Sequence, residues 1–311
     1  MATKSLNKNE TNLTCFFLEV FWRQSSHGTL SIISCVVSSL FALAAVLGNG
    51  TIMLVIWRSR QLNSTSFTLL FCLAFSDFLV GLLGQPFFVA FKTAELLGKF
   101  NAYCKLRLSQ FFIGWITGGI SFAILSGVSI DRLLALTLHL RYKTIVTNRR
   151  VLMLVISVCI SISIVTISKF WMRDNWVIMP ATIFSVTTLM TAVSTFQIFQ
   201  IARMHQRQIF QQNQTLGRTD DGTVHVLKCK KSAVTVLYVY GLRLTFYLPF
   251  ISVVMIETIL GVTQSVTLAY DLATATVFIN SSLNPLIYCW RMTHLRLAVK
   301  TFLKNLICVP V

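Results

Sequence analysis

The stretch Leu30–Trp57, LSIISCVVSSLFALAAVLGNGTIMLVIW, contains no charged residue and is long enough to cross a lipid bilayer as one helix. A helix rises about 1.5 Å per residue, so about 20 residues cross the roughly 30 Å of hydrocarbon. Further apolar blocks of similar length follow along the chain. We place seven predicted spans at about 30–57, 65–91, 106–130, 151–169, 177–202, 232–256 and 266–290.

The composition agrees with a membrane protein. Of the 311 residues, 55% are hydrophobic and 12% are charged, whereas an average globular chain carries roughly 25% charged residues. The blocks are continuously apolar instead of alternating, which excludes a transmembrane barrel. We therefore predict an all-α membrane protein, a seven-transmembrane-helix bundle. Its parts are an extracellular tail (1–29), the helical domain (30–290) and a cytoplasmic end (291–311).

Basic residues predict the orientation. Most of the 27 Lys and Arg residues follow spans one, three, five and seven, and such basic loops stay in the cytoplasm. The amino terminus is then extracellular, and the plasma membrane is the expected location. The net charge of +17 is spread over loops that face anionic lipid, so we do not expect nucleic-acid binding. Asn9 and Asn12 are the extracellular glycosylation candidates, although both could stay unmodified.

Polar residues inside the spans are candidate functional groups, because an ionisable side chain in hydrocarbon is costly. Asp77 lies in the middle of the second span, and other spans add amide and hydroxyl oxygens. The candidate ligands are Asp77, Asn49, Ser121, Asn280 and Ser281. Such oxygens suit an allosteric sodium ion, and we expect no other cofactor. The alternative is a structural network satisfied by water.

Two features lie at the cytoplasmic side. Asp131-Arg132 ends the third span, and we interpret it as an ion pair that opens when a partner docks. A simple interfacial arginine is the alternative. The last span ends in Asn284-Pro285-Leu286-Ile287-Tyr288, where Pro285 removes a helical hydrogen bond and allows a bend.

After the last span, Trp290–Leu306 is basic and amphipathic. We expect a short helix on the lipids of the inner leaflet. Cys308 follows it and is a candidate for palmitoylation, with an unmodified thiol as the alternative.

In this order, these elements resemble the rhodopsin-type G-protein-coupled receptors. The matching motifs are Gly48-Asn49, Leu73-Ala74-x-x-Asp77, Ser121…Leu125…Asp131-Arg132, Pro249 and Asn280-Ser281…Asn284-Pro285-x-x-Tyr288. The resemblance covers about residues 30–306. Within the family, Leu138-His139-Leu140-Arg141-Tyr142 and a very short second outer loop are similar to the branch of melanocortin and adenosine receptors.

The resemblance implies an extracellular ligand, bound in the outer half of the bundle, and activation of heterotrimeric G proteins. The implied ligand-site residues are Gln85, Phe88, Gly114, Tyr247, Glu257 and Tyr270. The implied coupling and switch residues are Asp131, Arg132, Leu140, Arg243, Tyr247, Pro249, Asn284, Pro285 and Tyr288. A monoamine receptor would have an acid where Gly114 stands, so we expect a peptide, nucleoside or lipid ligand.

The sequence also departs from the family. Cys104 finds no cysteine partner in the second outer loop, and we propose that it pairs with Cys15; two free thiols are the alternative. Arg243 stands where the family has an interior Phe, and the foot of the sixth span lacks an acid that would hold Arg132. Both features predict raised basal signalling. Alternatively, Arg243 bonds a carbonyl or Asp77 and replaces sodium.

Rival functions remain. A transporter would require inverted repeats and broken helices, and we find no repeat. A seven-helix protein could also bind its ligand without coupling to a G protein. We do not expect an enzyme, because no nucleophile, base and orienting group stand at recognisable spacing.

Overall fold

A computed structural model describes residues 11–22, 28–59, 64–138, 141–172, 176–216 and 221–307. The strands β1 (Thr11–Cys15) and β2 (Leu18–Trp22) form an antiparallel hairpin. The helices are α1 (Gly28–Arg58), α2 (Thr65–Leu79), α3 (Gln85–Leu96), α4 (Phe100–Leu138), α5 (Tyr142–Ile145), α6 (Asn148–Ile167), α7 (Ile178–Leu216), α8 (Asp221–Leu260), α9 (Gln264–Arg291) and α10 (Thr293–Ile307). The predicted sites at Asn9, Leu140 and Cys308 lie outside the described residues.

Seven helical segments form the bundle. Among the described residues, α1, the pair α2–α3, α4, α6, α7 and α8 each contain a segment long and apolar enough to cross a membrane. α9 is the seventh and is less apolar, because its buried positions include Asp271, Asn280 and Asn284. The predicted fold class, a seven-helix bundle followed by a short helix, is confirmed.

The bundle is apolar outside and partly polar inside. In α1, Leu40 and Leu47 are exposed, whereas Ser38, Ala45 and Asn49 are buried. Leucine side chains lose nothing by facing lipid tails, so small and polar residues take the contacts between helices. The interior positions are therefore where polar chemistry concentrates.

The second span is not the unbroken helix that hydropathy predicts. A π-helical turn, Val80–Gly84, separates α2 from α3. Pro86 follows, and its ring cannot accommodate the carbonyl four residues earlier, so the wider turn relieves that clash. At Gly81 a Cβ atom would lie 2.8 Å from the Cβ of Ala45. The turn therefore brings the backbone of the second span close to α1.

The amino-terminal segment contains more than an extended tail. The β1–β2 hairpin is joined to the start of α4 by a disulfide between Cys15 and Cys104, the pairing proposed from the sequence. Trp22 packs edge-on against Phe100, with ring centroids 5.0 Å apart. Phe16, in the turn, has a φ of 60°. The hairpin is thus held against one end of the bundle, called the hairpin end below.

α10 lies at the opposite end. Leu295 is fully buried and belongs to the same apolar cluster as Ile52, Leu73 and Tyr288. The guanidinium of Arg58 stands 5.6 Å from the ring of Phe302. These contacts tie α10 to α1 and α9.

Candidate ligand cavity and polar core

An inner cavity of about 110 Å³ lies among α4, α6, α7, α8 and α9. Aromatic side chains dominate its wall, and none of its lining residues is charged. The aromatic residues are Trp115, Phe122, Trp176, Phe184, Tyr247, Phe250, Tyr270 and Phe278. Gln110, Thr166, Thr187 and Thr274 add hydrogen-bonding groups. This cavity suits an apolar or aromatic group with one or two polar atoms.

An outer chamber of about 500 Å³ lies towards the hairpin end. It is adjacent to the inner cavity, because Gln110, Trp115, Trp176 and Tyr270 line both. Its wall includes the hairpin turn and β2, the start of α4 and the end of α8. The charged lining residues are Glu19, Arg107, Lys169 and Glu257. The outer chamber is therefore the polar part of the combined site.

The predicted ligand residues divide into two groups. Gly114, Tyr247 and Tyr270 line the inner cavity, and Glu257 lines the outer chamber. Gln85 and Phe88 line neither of these two spaces, so their ligand role stays a prediction. Phe88 packs edge-on against Phe91 and Phe278, and Gln85 is fully buried. Both side chains sit in the packing between helices, a position that hydropathy cannot distinguish from a cavity wall.

A second polar centre surrounds Asp77, which is fully buried. The hydroxyl of Ser121 donates to Oδ1 of Asp77 at 2.8 Å, and Nδ2 of Asn284 donates to Oδ2 at 2.6 Å. Asn49 donates to the carbonyl of Ser281 at 3.1 Å. Asn280 is also buried. The structure thus gathers these residues from four spans, and it adds Asn284, which the sequence assigned to the switch.

This centre fits a small hard cation. Such ions take oxygen ligands. Asp77 provides a carboxylate and Ser121 a hydroxyl oxygen, and Oδ1 of Asn49 is buried without a hydrogen-bond partner. A buried carboxylate requires either a counter-charge or several hydrogen bonds. The donor set therefore suits sodium and equally suits a bridging water.

The Asp131–Arg132 ion pair does not form in the described part of the chain. The oxygens of Asp131 accept hydrogen bonds from Ser66 at 2.7 Å and from the hydroxyl of Tyr142 at 2.5 Å. Tyr142 also bonds Thr65 at 2.8 Å. Burial raises the pKa of Tyr142, and its bond to Asp131 raises it further. Asp131 thus ties the end of α4 to α2 and α5, and Arg132 stays partly exposed beside it.

Arg243 is 2% exposed, deep between α4, α7 and α8. Its Nη1 donates to Ser126 at 2.7 Å and to Thr191 at 3.0 Å, and its guanidinium carbon lies 3.5 Å from the ring centre of Phe122. The partners of Arg243 in these contacts are two hydroxyl groups and an aromatic ring, and Asp77 is not among them. One turn later, the hydroxyl of Tyr247 donates to the carbonyl of Gly118 at 3.3 Å. Arg243 therefore lies below the floor of the inner cavity.

Pro285 and Tyr288 belong to the packed interior near the α10 end. At Gly48 a Cβ atom would lie 3.0 Å from Cγ of Pro285, so α1 and α9 approach closely here. Tyr288 is 7% exposed. Pro249 lies within α8. The switch role of these residues stays a prediction.

Sequence reasoning missed a buried ion cluster at the hairpin end. Asp271 of α9 pairs with Lys92 of α3 at 2.5 Å and with Arg107 of α4 at 2.8 Å. Lys92 also pairs with Glu95 at 2.7 Å. The guanidinium carbon of Arg107 lies 5.0 Å from the ring centre of Tyr270. The sequence did contain a clue to this cluster, because Arg107 and Asp271, which carry opposite charges, both lie inside predicted spans.

The known proteins that this chain is similar to are seven-transmembrane receptors. Residues 48–178 match the 7 transmembrane receptor (rhodopsin family). Mouse trace amine-associated receptor 7f is 27% identical over 286 residues, which cover 83% of this chain and 78% of that receptor. The guinea pig (Cavia porcellus) histamine H2 receptor is 25% identical, covering 81% and 74%. Trace amine-associated receptor 365 of Petromyzon marinus is 25% identical, covering 92% and 84%.

A seven-helix bundle with a cavity near one end and a buried polar centre is the architecture expected of a membrane receptor. These similarities support a rhodopsin-like (class A) G-protein-coupled receptor. The narrower branch of melanocortin and adenosine receptors stays a prediction, since the relatives named above carry other names.

Proposed function

We propose that this receptor lies in the plasma membrane with its amino terminus outside, binds an extracellular ligand and activates heterotrimeric G proteins. The observation that carries the proposal is the pair of adjacent cavities at the hairpin end. Tyr247 on the inner-cavity wall bonds α4 at Gly118, and Asp77 bonds α4 at Ser121, on the same helix that carries Asp131 and Arg132. A ligand that binds one arrangement of these helices more tightly would raise the population of that arrangement at the expense of the other.

The inner cavity supports a ligand whose buried part is uncharged. No acidic side chain lines it, and Gly114 stands on the α4 wall with its Cα facing Gln110. A primary amine buried there would lose its hydration without gaining a counter-charge. This favours a peptide, nucleoside or lipid over a monoamine that binds α4.

An amine ligand is the second candidate. The relatives include trace amine-associated and histamine receptors, and Glu257 supplies a carboxylate in the outer chamber. An amine would then bind with its ammonium group in the outer chamber and its ring in the inner cavity. The two candidates differ in where the positive charge sits.

Sodium would bind at Asp77, Ser121, Asn49, Asn280 and Ser281 and would supply the counter-charge for the carboxylate. By linkage, an ion bound only in the resting arrangement opposes activation. Asp77→Asn removes the charge, so replacement of sodium by choline should change the thermal stability of the unmodified receptor and leave that variant unaffected.

At the cytoplasmic side, Arg132, Leu140 and the basic loops would contact the G protein. The sixth span offers no acid near Arg132 in the sequence, and Arg243 occupies the interior. We therefore expect the receptor to signal above background without a ligand. The measurement is the ligand-free signal compared with that of Arg132→Ala at equal surface expression.

The direct test is a ligand library against a panel of G-protein biosensors, with Arg132→Ala as the blank. Lys105→Ala is the control, because Lys105 is an exposed cation at the hairpin end and lines neither cavity. We expect ligand-dependent signals in the unmodified receptor and in the control only. Measurable ligand binding without any G-protein signal would favour a non-coupling binding protein, and ligand uptake would favour a transporter.

A further inference from the structure

The amino-terminal hairpin is packed into the receptor. Cys15 and Val20 are buried in one apolar cluster with Phe88, Phe91 and Tyr103. The disulfide to Cys104 fixes the end of β1 on α4. The hairpin therefore has a defined position over the hairpin end of the bundle.

The hairpin lines the larger of the two spaces. Small-molecule sites typically measure about 300–1,000 Å³. The inner cavity, at about 110 Å³, lies well below that range, whereas the outer chamber, at about 500 Å³, lies within it. A ligand of typical size that fills the inner cavity would therefore extend into the outer chamber, where Phe16 to Val20 form part of the wall.

Phe17 is a fixed part of that wall. Its ring centre lies 4.5 Å from that of Phe170 and 5.9 Å from that of Phe112. The neighbouring Phe16 takes the positive φ that the tight turn requires and is exposed. Edge-to-face contacts hold an aromatic ring in place, so Phe17 is pre-positioned for an apolar group of a ligand.

The charges of the outer chamber favour a cation. Glu19 from the hairpin and Glu257 from α8 both line it, and both also line a smaller pocket beside Tyr103. Arg107 belongs to the ion cluster in which Asp271 and Glu95 balance Lys92 and Arg107. Lys169 lies at the edge of the chamber, 5.4 Å from the ring centre of Trp176. Outside that ion cluster, two carboxylates and one ammonium group, that of Lys169, line the chamber, and this net negative charge favours a cationic ligand.

We propose that the hairpin is part of the ligand site, with Phe17 contacting an apolar group of the ligand and Glu19, together with Glu257, binding a cationic group. This inference rests on the proposed receptor function and deepens it. It also gives the ligand a shape: an apolar or aromatic end in the inner cavity and a positive charge beneath the hairpin.

The test measures access to the two spaces in intact membranes, without any G protein. Thr258→Cys places a reporter thiol in the outer chamber, where Thr258 is exposed. Gly118→Cys places one in the inner cavity, where an added Cβ meets no atom within 4 Å. Each thiol reacts with a cationic (trimethylammonium-ethyl) or an anionic (sulfonato-ethyl) methanethiosulfonate, and the receptor without a reporter is the blank.

The charge of the chamber is read from the ratio of the cationic to the anionic rate at Thr258→Cys. We expect Glu19→Gln and Glu257→Gln each to lower this ratio about three-fold or more, because each removes a local negative charge. Glu95→Gln is the matched control, since Glu95 is bonded to Lys92 and does not line the chamber. A ratio that Glu19→Gln leaves unchanged would overturn the cation site.

The reporter thiol of Gly118→Cys tests whether Phe17 and the hairpin limit access to the inner cavity. We expect Phe17→Ala, and the paired change Cys15→Ser with Cys104→Ser, to raise the labelling rate several-fold because the hairpin no longer narrows the route. If the paired change abolishes surface expression, Phe17→Ala alone decides. An unchanged rate in Phe17→Ala would show that the hairpin does not enclose the site.

Small ligands that slow the labelling show which chemical class supplies the cationic group. Phenethylamine that slows labelling at Thr258→Cys, with the effect lost in Glu19→Gln, assigns it to an amine. Protection by the dipeptide amide Phe-Arg alone assigns it to a basic peptide. Millimolar concentrations of both without protection would count against the cation site. Since no step involves a G protein, a failure here is distinct from a failure of coupling.

Discussion

Asp271→Asn is the most informative change in the ion cluster, because one carboxylate holds two buried cations. The side chains of Asp271, Lys92 and Arg107 are 4%, 5% and 12% exposed. Removing one partner of a buried ion pair typically costs about 3–5 kcal/mol, since the other charge stays buried. Lys92 keeps Glu95, and the ring of Tyr270 still faces Arg107. We therefore expect the lower end, about 3 kcal/mol.

That cost corresponds to a roughly 100-fold fall in the ratio of folded to unfolded receptor. The assay is equilibrium unfolding of the purified receptor in mixed micelles, followed by tryptophan fluorescence. Glu95→Gln is the control, because it removes only the more exposed pair, and it should cost less than about 1 kcal/mol. Adding Arg107→Met to Asp271→Asn should restore part of the loss, since it removes the stranded cation.

The reasoning would be refuted if Asp271→Asn and Glu95→Gln lowered stability equally. Water would then reach the cluster and screen its charges. A further loss in the double variant would show that Arg107 has another, more important partner than Asp271.

Three further predictions follow from single contacts. Gly81→Ala should lower stability by about 1–3 kcal/mol, because its Cβ would meet Ala45 at 2.8 Å, whereas Gly50→Ala, 3.6 Å from Phe78, should be tolerated in the same unfolding assay. Leu295→Ala should cost about 2–5 kcal/mol and reduce surface expression, while Leu297→Ala, at a position 57% exposed, should do neither. Tyr142→Phe removes the bond to Asp131. Because the pKa of Tyr142 is raised on folding, its contribution is complete below pH 10 and is lost as pH rises above it, so the unmodified receptor should lose more stability at high pH than Tyr142→Phe does. Equal losses in the two would contradict this role.

Much of the fold was predictable because lipid imposes a strict rule. Every backbone group must be satisfied within its own helix, so a long uncharged block such as Leu30–Trp57 has one structural solution. The polar residues Asp77, Ser121 and Asn280 were recognisable as interior for the same reason. Helix ends were less predictable, since α4 continues as a helix after it leaves the apolar block.

The sequence by itself determined the seven spans, the residue types of the Asp77 centre and the pairing of Cys15 with Cys104 as a candidate. Only the tertiary structure decided which interior residues face a cavity, because Phe88 and Phe122 have the same hydropathy but meet different neighbours. It likewise decided that Asp131 bonds Tyr142, a contact made across a loop. Hydropathy reports whether a side chain prefers lipid or water, whereas partners depend on how helices distant in sequence are brought together.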